Sequence, residues 1–214
     1  MKIKLFVLCA ILGGLTACSN MYYGAMEKFG VHKREILVDR VGAARNSQME
    51  AKEQFLTAME QFKSLVNFQG GDLEKSHQKL DATLKKSESK AADVRNRIEA
   101  VEDVSQALFK EWRSEIKQFS SDSLRKESQR QYNLTEQKYT TFITAMKRAE
   151  GKLEPALVPL RDQVLFMKHN LNARAIAGLS NELISVQSNV DDLVRDIERA
   201  IAQADEFMAS LQAE

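Results

Sequence analysis

Apolar residues recur along this chain in steps of four and three. One run takes in Leu37, Val41, Ala44, Gln48, Ala51, Phe55, Ala58, Phe62 and Leu65, with Gln48 its only polar member. A second comprises Leu73, His77, Leu80, Leu84, Ser87, Ala91, Val94, Ile98 and Val101, and its register continues through Ser105, Leu108, Trp112, Glu115 and Phe119. A third holds Tyr139, Phe142, Met146, Ala149, Leu153, Ala156 and Leu160. The fourth is wholly apolar: Leu179, Leu183, Val186, Val190, Leu193, Ile197, Ala200, Ala204, Phe207 and Leu211. A mean step of about 3.5 residues keeps a stripe on one side of an α-helix, and neighbouring helices bury such a stripe by knobs-into-holes packing. No stretch alternates with period two, so strands are not predicted. The pattern predicts an all-α fold: an elongated antiparallel bundle of about four long helices with coiled-coil-like seams, one domain over residues 26–214.

The breaks between these runs are few, because the chain has only 9 glycines and 2 prolines in 214 residues. Gly70-Gly71 separates the first two helices, and Asp72 is placed to cap the second. Ser120-Ser121-Asp122-Ser123 reads as a turn with N-cap candidates for the third. Gly178 with Ser180-Asn181 marks the last break. Gly151, Pro155 and Pro159 interrupt the third helix. A proline inside a helix removes a hydrogen bond and clashes with the preceding turn, so a kink or break is expected between Gly151 and Pro155, with continuation to about Ala175. Short connections force sequential helices to run antiparallel. A three-helix arrangement bent at Pro155 fits the same pattern.

Residues 1–17 change the picture of where such a rod works. Lys2 and Lys4 make a basic start, an apolar stretch follows, and Leu15-Thr16-Ala17-Cys18 has the form of a lipobox. The stretch is shorter than the roughly 20 residues a spanning helix needs, and the order of its parts is that of a secretory signal. The expectation is cleavage before Cys18 and acylation of its thiol, so that the chain is held on a membrane by lipid. At least two acyl chains give stable anchoring. Ser19 after the cysteine, where Asp would favour the inner membrane, points to the inner leaflet of the outer membrane, facing the periplasm. Residues 18–25 then form a short tether, with Tyr22 and Tyr23 suited either to the bilayer interface or to packing on the bundle end.

Charge and cysteine usage narrow the chemistry. Lys and Arg total 31 and Asp and Glu total 30; loss of Lys2 and Lys4 leaves 29 against 30. A near-neutral chain is not a general nucleic-acid binder. With Cys9 removed and Cys18 acylated, no disulfide, thiol nucleophile or cysteine metal site is left.

The motifs are weak. Glu74 and His77 match the Glu-x-x-His of di-iron bundles. His32 and His169 are preceded three residues earlier by Phe29 and Phe166, so the second half of that site is missing, and His77 reads as a seam residue near a helix end. His32, Glu35 and Asp39 share a helix face and read as a charged surface in preference to a metal site. Lys33, Arg34, Arg40 and Arg45 form a basic stretch offset by Glu27, Glu35, Asp39 and Glu50. Phe55, Phe62, Trp112, Phe119, Phe142 and Phe207 fall on seams and read as core. Phe109, Phe166 and Met167 lie off or beside the seams, as a partner groove or as packing where the core widens. No phosphate loop, dinucleotide fingerprint, nucleophile elbow or zinc-protease His pair occurs.

The segment Glu27-Lys28-Phe29-Gly30-Val31-His32-Lys33-Arg34-Glu35-Ile36-Leu37-Val38-Asp39-Arg40-Val41 resembles an uncharacterised, domain-of-unknown-function family of predicted lipoproteins in Gram-negative bacteria. The resemblance covers the mature chain and implies no activity, cofactor or partner. The expectation is therefore a non-enzymatic, lipid-anchored scaffold or adaptor with an envelope protein partner and no cofactor, metal or nucleic acid. The alternative is a bundle that holds a lipid or another hydrophobic molecule between its helices.

Overall fold

The structure is a computed structural model; it describes residues 32–68, 70, 72–170 and 172–212, the side chains of 173–175 excepted. Four helices occupy almost all of it: α1 (Lys33–Val66), α2 (Leu73–Ile116), α3 (Asp122–His169) and α4 (Ala173–Gln212). Each packs on two others, α1 on α2 and α4, and α3 on α2 and α4. This is an up-down-up-down square bundle. α3, with 48 residues, is about 72 Å long at 1.5 Å per residue.

The stepped stripes become the core. Phe55, Phe62, Phe142, Met146, Leu153, Ala200, Ala204 and Phe207 are each at most 1% exposed. Phe142 and Phe207 stack across the α3–α4 seam with centroids 5.2 Å apart and planes 9° apart, and Tyr139 approaches both rings. The helix starts are built as the side chains dictate. Asp72 accepts from the Lys75 backbone N–H at 3.0 Å, and Ser121 accepts from that of Leu124 at 3.4 Å. Gly70 has a φ of 137°, a conformation open to glycine and costly for other residues.

Three sequence expectations are corrected. First, of the kink or break expected between Gly151 and Pro155 the break is absent: α3 runs through Pro155 and Pro159 and ends at His169, short of Ala175. The carbonyls that lose their partners belong to Gly151 and Pro155. Both residues are exposed, so water can serve those oxygens, and a helix tilts its solvent-side carbonyls outward at little cost. Second, the last break falls at residues 170–172, and Gly178 lies within α4. Asn170 closes α3 by donating from Nδ2 to the Phe166 carbonyl at 2.9 Å. The Asn172 carbonyl accepts from the Ile176 N–H, opening α4. A single glycine costs a helix only about 1 kcal/mol, which packing of Leu179 and Val186 offsets. Third, the seam of α2 drifts near its end: Val104, Phe109 and Ile116 are buried while Phe119 is exposed.

That drift has a geometric cause. Lys33 at the start of α1 pairs with Glu111 of α2 at 3.0 Å, and Arg34 donates to the carbonyl of Leu211 near the end of α4. The first turn of α1, residue 111 of α2 and the last turn of α4 are therefore level. Beyond that level, among the described residues, α2 and α3 continue. Phe109 meets Tyr132 and Tyr139 edge-on at 5.6 and 5.3 Å, and Trp112 donates from Nε1 to Ser128 at 3.0 Å. Near its end the buried face of α2 thus turns towards α3.

Candidate functional site

Polar groups buried in the bundle are few, and most are satisfied locally. Ser47 donates to the Ala44 carbonyl and Ser87 to that of Thr83, and Ser105 meets the Tyr139 hydroxyl at 2.6 Å. Asp196, only 4% exposed, takes Arg148 of α3 at 3.1 Å and Arg199 of its own helix at 2.9 Å. Gln48 is the exception. It is fully buried, its Nε2 makes a long 3.4 Å contact to the Met146 carbonyl, and its Oε1 has no partner. A polar group placed on a seam, as Gln48 is, sets register at a cost in stability.

Charge on the flanks of the seams joins neighbouring helices. Glu50 of α1 takes Lys90 of α2 at 2.6 Å, Arg45 of α1 takes Asp205 of α4 at 2.7 Å, and Glu102 of α2 takes Lys147 of α3 at 2.6 Å. Arg161 of α3 binds Glu88 and Glu154 at 2.9 and 3.0 Å, and Arg95 of α2 closes on Glu154 at 3.4 Å. The hydrogen bond from Lys90 holds the Glu50 carboxyl below its ordinary range, and that from Arg161 does the same for Glu154. Exposed pairs of this kind contribute little stability each, but they select which helix lies beside which. Lys33, Arg34 and Arg45 of the basic stretch are spent in this way.

The residues singled out from the sequence scatter. Cys18, the expected lipidation site, lies outside the described residues, as do Tyr22, Tyr23 and the leader. His77 is half-buried with Nε2 3.0 Å from the Val164 carbonyl, while Glu74 is exposed and accepts from Gln78. Glu and His of that pair thus serve different neighbours. His32, Glu35 and Asp39 are exposed, and among the described residues no three His, Cys, Asp or Glu side chains are grouped to hold a metal ion. Phe109 and Met167, read as off the seams, are core residues at 6% and 0% exposure; Phe166 is exposed. Met167 follows Leu160 and Val164 in the same stepped stripe, which continues past the run traced in the sequence. Trp112 is half-buried against Tyr132.

The grooves on the described surface are open and mixed in character. One lies between α3 and α4, lined by Leu134, Gln137, Thr141, Gln203 and Glu206. Another lies between α2 and α3 and is bordered by Lys110, Arg113 and Lys117, with Ile116 and Tyr132 beneath. The basic groove was not anticipated from the sequence: Lys110, Arg113 and Lys117 come from one face of α2, and the packing of α3 through Tyr132 turns that face into a groove wall. Among the described helices none is long and apolar enough to cross a membrane.

Comparison with proteins of curated function found no match. The family described as a protein of unknown function, DUF2959, matches residues 22–211. That span takes in all four helices and every seam described above, and the chain belongs to this family.

Proposed function

We propose that this chain is a non-enzymatic, lipid-anchored envelope protein, held through Cys18 and standing as a helical rod that spaces or joins other envelope components. The observation that carries the reading is the construction of the rod. Its interior is filled from end to end by apolar side chains such as Phe, Leu, Ala and Met, and ion pairs such as Glu50 with Lys90 and Glu102 with Lys147 tie each helix to its neighbours. An active site needs convergent polar groups in a concave, sheltered pocket, and the described surface offers open grooves. A filled interior likewise favours a rod over a bundle that stores a hydrophobic ligand. The lipobox at residues 15–18 supplies the anchor, and Ser19 favours the inner leaflet of the outer membrane, facing the periplasm.

Two measurements test this. Replacing Cys18→Ser in the full chain is expected to abolish palmitate labelling and displace the protein from the outer-membrane fraction; normal labelling of that variant refutes the anchor. A photo-crosslinking residue at the exposed Phe166 position, used in the intact envelope, is expected to capture a specific envelope protein in stoichiometric amounts. Capture confined to abundant bystanders counts against an adaptor role at that face.

A further inference from the structure

We infer that the overhanging tip of the α2–α3 hairpin is a membrane contact that seats on anionic phospholipid headgroups; for its orientation this rests on the anchor proposed above. Three features of the tip converge. The first is position. α2 runs five residues past Glu111, to Ile116, and α3 enters at Asp122, so the helices of the hairpin extend about 8 Å past the first described turn of α1 and the last described turn of α4 at 1.5 Å per residue. The chain enters α1 at this same end, through Lys33, so the residues that precede α1, Cys18 among them, join the rod at the end that carries the tip.

The second feature is apolar exposure. Phe119 is 37% exposed and Leu124 is 57% exposed, on either side of the Ser120–Ser123 turn. The turn itself is polar, and the two apolar side chains stand where a bundle end meant for water alone would carry polar ones. Apolar groups of an interfacial segment enter about 5–10 Å into the headgroup region, a depth the overhang can reach without moving the four-helix core.

The third is charge. Three acids of the tip are engaged by cations, Asp122 by Arg125, Glu127 by Arg130 and Glu111 by Lys33, and Glu115 lies beside Arg34 and Trp112. Hydrogen bonds from Arg130 and then Gln131 hold the Glu127 carboxyl at about 2. Lys110, Arg113, Lys117 and Lys126 are exposed, and none makes an ion pair among the described residues. Elsewhere on the rod Lys90, Lys147 and Arg161 are matched across helices, while Lys63 and Lys79 are unpaired among the described residues; at the tip such cations are gathered beside Phe119 and Leu124. A surface that leaves its cations unmatched beside exposed apolar residues is complementary to an anionic bilayer, where each Lys or Arg near the headgroups adds attraction within a Debye length.

The test uses the full chain carrying Leu124→Cys, purified from membranes, labelled at that thiol with an environment-sensitive nitrobenzoxadiazole dye, and reconstituted in vesicles. One set is phosphatidylethanolamine with phosphatidylglycerol, the other phosphatidylcholine alone. Intact mass before labelling reads acylation of Cys18, so a failed anchor is seen separately from a failed tip. The expected result is a several-fold brighter, blue-shifted emission in the anionic vesicles, lost when Lys117→Glu and Lys126→Glu are added. A dye at Ile184→Cys, exposed on α4 away from the tip, is expected to report water in both vesicles. Equal emission from the tip dye in the two vesicles overturns the inference. So does a gain that survives the charge reversals, and so does equal brightening of the Ile184→Cys dye, which means the rod lies flat.

Discussion

Replacing Gln48→Met is expected to make this bundle more stable. Gln48 is fully buried, its amide oxygen is unpartnered, and its amide nitrogen lies 3.4 Å from a carbonyl of α3. A buried polar atom without a partner costs about 1–3 kcal/mol. The contact that would be lost is long, and the Met146 carbonyl belongs to the interior of α3, whose own hydrogen bonds it serves. Methionine conserves length and flexibility, and volume-conserving swaps in a core cost less than about 1.5 kcal/mol. The net gain is about 1–2 kcal/mol, or a rise in Tm of about 2–8 °C for a domain of this size. Urea unfolding followed by circular dichroism measures it: the midpoint should rise with the slope unchanged. Gln48→Ala is the contrast, because it removes the amide but leaves a cavity, and it should destabilise. A Gln48→Met chain that unfolds at or below the native midpoint refutes the reasoning, and would mean that the amide is fully satisfied in solution.

The remaining predictions concern the backbone and pH. Gly151→Ala should stabilise α3 by about 0.5–1 kcal/mol, because a Cβ there meets nothing within 4 Å; a lower thermal midpoint would show that the Gly151–Pro155 turn needs glycine. Burial, then the hydrogen bond to Glu136, pushes the Tyr132 hydroxyl up to about 12, and burial also raises Tyr139. A folded-state pKa above the unfolded value of about 10 means that stability is full below about pH 10 and falls as pH rises through the folded values. Urea midpoints measured from neutral pH upward should stay level and then decline in that window, less steeply for Tyr132→Phe. A decline that begins near neutrality, or none at all, contradicts this assignment.

The stepped apolar runs determined by themselves that the chain is helical and which residues fill most of the core, while the choice of four helices over three came from the structure. These are local properties: a 3.5-residue stripe buries one face wherever the helix packs, and Asp72 and Ser121 cap their own first turns whatever lies alongside. Gln48 was legible for the same reason, as the one polar member of its stripe. Tertiary structure decided what depends on neighbours. Pro155 and Pro159 are tolerated because their freed carbonyls face water, which the sequence does not reveal. The final turn falls at Asn170 and Asn172 instead of Gly178 because the packing of Leu179 holds the glycine within α4. Phe109 and Met167 are core, and Phe119 is exposed, because helix ends set how many neighbours each position has. The order of helices around the square is selected by pairs such as Lys90 with Glu50 and Arg161 with Glu88, distant in sequence and matched only after folding. The unmatched cations of the tip are the clearest case. Each is an ordinary surface lysine or arginine in the sequence, and only the packing of α2 against α3 gathers them into one surface.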